Sequence, residues 1–154
     1  MRVVMIALMV LLAFTANAEE CPSIPSALQQ AMTRHVTKIR AEEYCPGRVL
    51  KSNGELSVLI YTAEGACGDD TTQEPGTCSV TWVRYMVGLY KGKIVAPIIV
   101  GGKGDLCDKK VSISKGIVTV SGLEVGPSDA FCCPSVPAKK MFKVSEGHFV
   151  EVTP

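Results

Sequence analysis

The chain has 154 residues, of which 20% are charged and 47% hydrophobic, and it contains seven cysteines. Its 16 lysines and arginines nearly balance its 15 aspartates and glutamates, so the composition gives no electrostatic footprint for nucleic acid or for an anionic membrane surface. This length suits a single domain with a sizeable hydrophobic core.

Residues 1–18 have the pattern of a secretory signal peptide, since Arg2 precedes an apolar run over residues 3–14 and Ala16-Asn17-Ala18 offers small residues for cleavage. The apolar run is shorter than the roughly 20 residues that span a bilayer. We therefore expect a mature chain over 19–154 that forms one domain and is periplasmic or secreted. Loss of Arg2 leaves it with no net formal charge, and no stable membrane anchor remains.

The first mature element is predicted to be an amphipathic helix that starts at Ser26. Its apolar stripe recurs at helical spacing and consists of Leu28, Met32, His35, Val36 and Ile39. Ser26 with Gln29 matches a capping box, and Pro46-Gly47 is expected to end the segment. His35 lies on this stripe, which favours a core histidine over a metal ligand.

After the helix, the pattern indicates antiparallel strands joined by tight turns, with turn signals at Asn53-Gly54, Lys91-Gly92, Lys115-Gly116 and Glu146-Gly147-His148. A two-residue turn at Lys115-Gly116 pairs Ile113 with Val118 and Val111 with Val120, and it places polar side chains on the other face.

The Lys91-Gly92 turn, continued without interruption, pairs Leu89 with Ile94 and Val83 with Val100. Pro97 lacks a backbone donor, so its strand should be an edge or carry a bulge there.

A three-residue loop at 146–148 pairs Val144 with Val150 and Phe142 with Val152, and it leaves Lys143 opposite Glu151. The sequence as a whole predicts an α+β fold, with one N-terminal amphipathic helix packed on a meandering antiparallel sheet of about six to eight strands. A partly closed barrel with the helix at one end is the alternative.

The cysteines predict a disulfide-stabilised domain. Cys67 and Cys78 flank a polar loop, where a bridge would staple the base of a long hairpin. Cys21 and Cys45 bracket the helix, and they can meet only if the N-terminal segment folds back along it. Otherwise one or both tie the helix to the sheet.

Three further cysteines lie in irregular connections: Cys107, and the adjacent Cys132 and Cys133. Adjacent cysteines are hard to join to each other, because the eight-membered ring strains the peptide between them. A bridge from Cys107 to one of the pair is therefore expected. The other cysteine is expected to be a free thiol or to pair with Cys21 or Cys45.

No motif nominates an enzyme, a metal or a cofactor. The chain has no Cys-x-x-Cys and no Gly-x-Ser-x-Gly, and His35 and His148 lack the spacing of zinc ligands. We therefore expect a non-enzymatic protein without catalytic residues, metal or cofactor.

The candidate binding residues are Trp82, Arg84 and Met86, which alternate on one face of a predicted strand. Aromatic, arginine and methionine side chains are the types that anchor protein interfaces. A second small core under a loop is the alternative. Asp129 and Ser135, on either side of the cysteine pair, complete the candidate set.

The segment SDAFCCPS, followed by MFKVSEGHFVEV, resembles the C-terminal portion of uncharacterised bacterial exported proteins with an Asp-x-x-Cys-Cys-Pro-Ser tail. The resemblance covers the last quarter to third of the chain. It implies a bacterial periplasmic or secreted setting, and it carries no activity and no functional residues with it.

The leading hypothesis is a non-enzymatic exported binding or accessory protein of the bacterial envelope, such as an inhibitor or immunity-type protein that recognises another protein. The first alternative is a thiol-based redox protein that uses Cys132 or Cys133, which would require a lowered thiol pKa. The second is a small-ligand carrier. The sequence leaves the oligomeric state open.

Overall fold

The computed structural model describes residues 21–130 and 133–153. These residues form one helix and eight strands: α1 (Ser26–Lys38), β1 (Glu42–Asn53), β2 (Leu56–Glu64), β3 (Trp82–Tyr90), β4 (Lys93–Gly102), β5 (Cys107–Ser114), β6 (Ile117–Glu124), β7 (Val136–Ser145) and β8 (His148–Glu151). The α+β class and the antiparallel pairing are confirmed. None of the described helical residues makes a segment long and apolar enough to cross a membrane.

The strands form two sheets rather than one. Sheet A has the order β1-β2-β3-β4 and sheet B the order β5-β6-β7-β8, each a simple meander. The expectation of one continuous sheet is wrong, and the described strands do not close into a barrel. At the junction the connection 103–106 folds back closely on β4, since an added Cβ at Gly101 would lie 2.1 Å from the carbonyl oxygen of Leu106.

The second sheet exists because sheet A is apolar on both faces. Strand β2 alternates Val58 and Ile60 on one face with Leu59 and Tyr61 on the other, and all four are fully buried. Val58 and Ile60 belong to the core between the two sheets, whereas Leu59 and Tyr61 pack against α1. The layers are therefore α1, sheet A and sheet B.

Helix α1 is shorter than predicted. It ends at Lys38, because Arg40 adopts a left-handed φ of 53° and the backbone N–H of Ala41 donates to the carbonyl of Val36, a Schellman-type ending. The predicted capping box is also wrong, since Pro25 holds the N-cap position and no side chain caps the helix.

Pro46-Gly47 interrupts β1 instead of ending the helix. The register against β2 shifts between Tyr44 and Val49, so this dipeptide occupies a β-bulge. Because the chain reverses after Lys38, β1 brings Cys45 back beside Cys21, and these residues form a disulfide with a Cα–Cα distance of 5.2 Å.

Two of the predicted registers need correction. The Lys115-Gly116 hairpin is confirmed pair by pair. On β4, an extra residue near Pro97 confirms the expected bulge and edge position, and a second extra residue lies at Val100. Together they shift the register by two, so that Val83 pairs with Gly102 rather than Val100.

The last hairpin has a two-residue turn at Glu146-Gly147, which pairs Val144 with Phe149 and Lys143 with Val150. The predicted pairs of Val144 with Val150 and Lys143 with Glu151 are therefore wrong by one residue. The shift buries Phe149, which packs against the inter-sheet core.

The four hairpin turns lie at one end of the two sheets, which we call the turn end. The side-chain amide of Asn53 donates to the carbonyl of Ile113, and the N–H of Ala96 donates to the carbonyl of Gly147, so the turns of the two sheets are neighbours. The opposite end carries the longer connections 65–81, 103–106 and 125–135, and we call it the loop end.

Candidate functional site

A cleft of about 340 Å³ opens at the loop end between the two sheets. Its walls are formed by Tyr44, Gly47, Thr62, Glu64, Trp82, Arg84, Cys107 and Asp108. It contains two of the predicted binding residues, Trp82 and Arg84.

The pairing of sheet A builds one wall of the cleft. Tyr44, Thr62 and Arg84 are aligned across β1, β2 and β3, and Glu42, Glu64 and Trp82 form the next row. Directly paired residues project to the same face, and so do residues two apart on a strand. Both rows therefore face sheet B, whose Cys107 and Asp108 complete the opposite wall.

Arg84 forms the floor of the cleft and is 7% exposed. Its Nε and Nη2 donate to the two carboxylate oxygens of Asp108 at 2.8 and 2.9 Å. Its Nη1 donates to the carbonyl of Gly47 at 2.6 Å and to Oγ1 of Thr62 at 2.7 Å. Through these bonds the guanidinium joins three strands of sheet A to sheet B.

Met86 is not a surface residue, and its assignment to a binding surface needs correction. Its side chain is fully buried in the core between the sheets, so it cannot touch a partner. The sequence could not show this, because the cover is supplied by strands that lie later in the chain. Trp82, two positions earlier, is only half-buried and forms the rim of the cleft.

Three exposed residues around the cleft were missing from the predicted binding set. Val80 is 89% exposed and Tyr44 is 49% exposed, although both are apolar or aromatic. Glu64 lines the cleft beside Trp82, its direct partner on β3. The bulge at Pro46-Gly47 was the available signal for Tyr44, since bulges re-aim neighbouring side chains.

The connection 65–81 beside the cleft is braced at its base. Cys67 and Cys78 form the predicted disulfide, with a Cα–Cα distance of 4.9 Å. The carbonyl of Arg40 accepts the N–H groups of Cys67 and Gly76. The loop that leads into Val80 and Trp82 is therefore held by covalent and backbone bonds.

The same connection makes the loop end acidic. It contains Asp69, Asp70 and Glu74 and no lysine or arginine. The N–H and hydroxyl of Thr72 donate to the carboxylate of Asp70 and lower its pKa. The Asp70 carboxylate therefore stays ionised to lower pH than an unperturbed aspartate.

Cys107 is a free thiol on the cleft wall, so the predicted bridge from Cys107 to the cysteine pair is wrong. Partial burial raises the pKa of this thiol, and the nearby Asp108 and Asp105 raise it further. Cys107 is accordingly a protonated, unactivated thiol near neutral pH.

The hypothesis of a reactive thiol has one outcome for Cys133 and another for Cys132. Cys133 is disulfide-bonded, so it is not available as a nucleophilic thiol. Cys132 lies outside the described residues.

Asp129 and Ser135 act together to close the connection 125–135. The N–H groups of Gly126 and Ser135 each donate to Oδ2 of Asp129 at 2.8 Å, and the Ser135 hydroxyl donates to Oδ1 at 2.8 Å. These bonds lower the pKa of Asp129, the Gly126 bond most of all. Neither residue lines the cleft, and their hydrogen bonds stabilise the connection 125–135.

Among residues 21–130 and 133–153, no group of three or more histidine, cysteine, aspartate or glutamate side chains has the arrangement of a metal site. Comparison of the chain with protein-family models, with curated proteins and with solved structures finds no match. The resemblance of the C-terminal segment to exported bacterial proteins therefore stays a prediction.

Proposed function

We propose that the protein is a non-enzymatic, exported binding protein of the bacterial envelope that recognises another protein through its loop end. The observation that carries this proposal is the exposure of two residues near Trp82: Tyr44, which lines the cleft with it, and Val80, which lines a neighbouring depression with it. Single exposed apolar residues are common on protein surfaces, but aromatic and apolar side chains gathered around one cleft are typical of interface hot spots.

The rigidity of this surface supports the same role. The Cys67–Cys78 disulfide closes the loop that leads to Val80, and the Cys21–Cys45 disulfide lies next to Tyr44 in the chain. A surface ordered before binding loses less conformational entropy when a partner docks. An inhibitor or immunity-type protein depends on such a preformed surface.

The location is supported by the same disulfides. Two bridges in a chain of this size indicate an oxidising, non-cytoplasmic compartment. We assign the periplasm or the extracellular space as part of the proposal.

The thiol-based alternative receives less support from the structure. The raised pKa of Cys107 opposes nucleophilic attack at neutral pH, and Cys133 is already oxidised in a bridge. A small-ligand carrier would bind its ligand in the same cleft. The volume of this cleft lies at the lower end of the range for ligand pockets.

The proposal is tested by crosslinking in cells with matched surface variants. Val80→Asp places a charge on the proposed surface, whereas Val150→Asp does the same at an exposed valine on β8, away from the loop end. We expect the wild type and Val150→Asp to give the same discrete crosslinked protein, and Val80→Asp to lose it. Equal crosslinking by both variants, or none by the wild type, would contradict the proposal.

A further inference from the structure

Two glutamates at the loop end occupy directly paired positions on neighbouring strands. Glu42 on β1 is the direct antiparallel partner of Glu64 on β2, and neither takes part in a salt bridge among the described residues. Like charges directly opposite each other on a sheet are destabilising. A cation bound beside the two glutamates would relieve such repulsion.

Aromatic rings lie next to these carboxylates. Trp82 is the direct partner of Glu64 on β3, and Tyr44 follows Glu42 by two positions on the same face. Trp82, Tyr44 and Glu64 all line the cleft. Aromatic faces beside a carboxylate attract organic cations by cation–π and charge–charge interactions together.

The arginine in the cleft does not cancel this preference. The charge of Arg84 is neutralised by the bidentate bond to Asp108, and its remaining Nη1 group bonds to Gly47 and Thr62. Two further cations lie nearby without a salt bridge among the described residues: Lys103, whose Nζ lies 3.5 Å from the carbonyl oxygen of Val80, and Lys109, which follows Asp108 on β5. Neither lysine lines the cleft, so Glu64 is the one charged residue of its lining that has no ion-pair partner among the described residues.

The surroundings extend the same sign of charge. The connection 65–81 contributes three carboxylates, against which Arg40 is the cation in contact, through the carbonyl of Gln73. Its base lies against Glu42, since a Cβ at Gly76 would meet the Glu42 side chain at 2.4 Å. An acidic rim around a cleft raises the encounter rate of positively charged partners.

From these contacts we infer that the loop-end cleft receives a lysine or arginine side chain of the partner protein, with Glu64 as its counter-ion and Trp82 and Tyr44 as its walls. The inference rests on the proposed function and specifies the chemistry of the partner. The partner presents a basic residue next to an apolar patch that covers Val80.

Trp82 is the only tryptophan in the chain, so its fluorescence reports on this cleft alone. The oxidised protein is titrated with N-acetyl-argininamide and N-acetyl-lysinamide, and with N-acetyl-glutaminamide as the neutral control. We expect saturable fluorescence changes with the two cations, weaker at high salt, and none with the neutral amide.

Glu64→Gln keeps the shape of the side chain and removes its charge. It should weaken the binding of both cations by about five- to tenfold, and it should raise the melting temperature by relieving the repulsion from Glu42. The matched control is Glu55→Gln at the turn end, where Glu55 is paired with Lys91, and it should leave the titration unchanged. Equal binding of the neutral amide, or no effect of Glu64→Gln, would overturn the inference.

Two further outcomes separate this inference from the proposed function. If Val80→Asp abolishes the protein crosslink and neither cation is bound, the protein-binding function stands and the cationic anchor is wrong. If choline binds more tightly than both amino-acid amides, the cleft serves a free organic cation, and the assignment to a partner's side chain is overturned.

Discussion

Arg84 and Asp108 form a bidentate ion pair that fastens sheet A to sheet B at the loop end, with N–O distances of 2.8 and 2.9 Å. Their side chains are 9% and 6% exposed, so water scarcely screens the pair. Removal of one member leaves the other charge buried without a partner, which costs far more than the intact pair contributes.

Asp108→Asn should therefore destabilise the protein by about 3–5 kcal/mol, because the Arg84 guanidinium loses its counter-charge in a buried position. The free energy of unfolding in urea measures the change. The control is Glu55→Gln, which breaks the exposed Lys91–Glu55 pair and should cost less than about 1 kcal/mol. Losses of similar size in the two variants would show that the Arg84–Asp108 pair does not hold the sheets together.

The hairpins show how far local pattern determines this fold. The Lys115-Gly116 turn and an unbroken alternation around it specify one register, which the structure adopts. The β7–β8 hairpin is different, because Val144, Phe149 and Val150 are all apolar and the alternation allows two registers. The observed one is selected by a distant contact, since a Cβ at Gly88 of β3 would meet the Phe149 ring at 2.7 Å.

The site was only partly visible in the sequence for the same reason. The alternation of Trp82, Arg84 and Met86 correctly places them on the face away from α1. Which of them is covered depends on sheet B, and sheet B is joined to sheet A by the connection 103–106, which packs closely against Gly101. No local pattern in the sequence predicts how sheet B packs on sheet A. The ion pair between Arg84 and Asp108 depends on that packing.

His35 should make the stability of the helix layer depend on pH. Its Nδ1 lies 2.7 Å from the hydroxyl of Tyr61, with which it shares a hydrogen bond, and burial raises the pKa of that hydroxyl. Burial lowers the pKa of His35 below its usual 6.5, and Lys38 lowers it further. The unfolded chain then binds the proton first as the pH falls.

Consequently, the stability from neutral His35 is fully present above about pH 6.5 and is lost as the pH falls toward the lower folded pKa. Urea unfolding between pH 7.5 and 5 should show this decline in the wild type and in His148→Gln, the control at the exposed histidine. His35→Gln should reduce it. An unchanged pH profile in His35→Gln would refute the role of the His35–Tyr61 bond.

Cys107 should react slowly in the folded protein. Its raised pKa keeps the thiolate fraction below that of an unperturbed cysteine, and the cleft walls restrict access. Alkylation by iodoacetamide at pH 7, followed by peptide mapping, should therefore be slower at Cys107 than in free cysteine, and it should accelerate in urea. A native alkylation rate above that of free cysteine would show that Cys107 is an activated thiol, and it would support a thiol-based function.

Gly65 should tolerate no side chain, because it has a left-handed backbone conformation and because another part of the backbone lies close to it. Its φ is 61°, and an added Cβ would lie 1.8 Å from the carbonyl oxygen of Gly76. Gly54 in the β1–β2 turn provides the matched comparison, with a φ of 59° and no atom within 4 Å of an added Cβ. The two positions share the backbone conformation and differ in the space around it.

Gly54→Ala should therefore cost about 1 kcal/mol, for the left-handed backbone alone. Gly65→Ala must also displace the backbone of Gly76, and its cost should reach about 2–4 kcal/mol in urea unfolding. Because Gly65 bonds through its backbone to Thr81 and Cys78, the displacement should reach Trp82 and change its emission. Equal losses of stability with unchanged emission would mean that the 65–81 loop adjusts without disturbing the cleft, and that its bracing does not shape the binding surface.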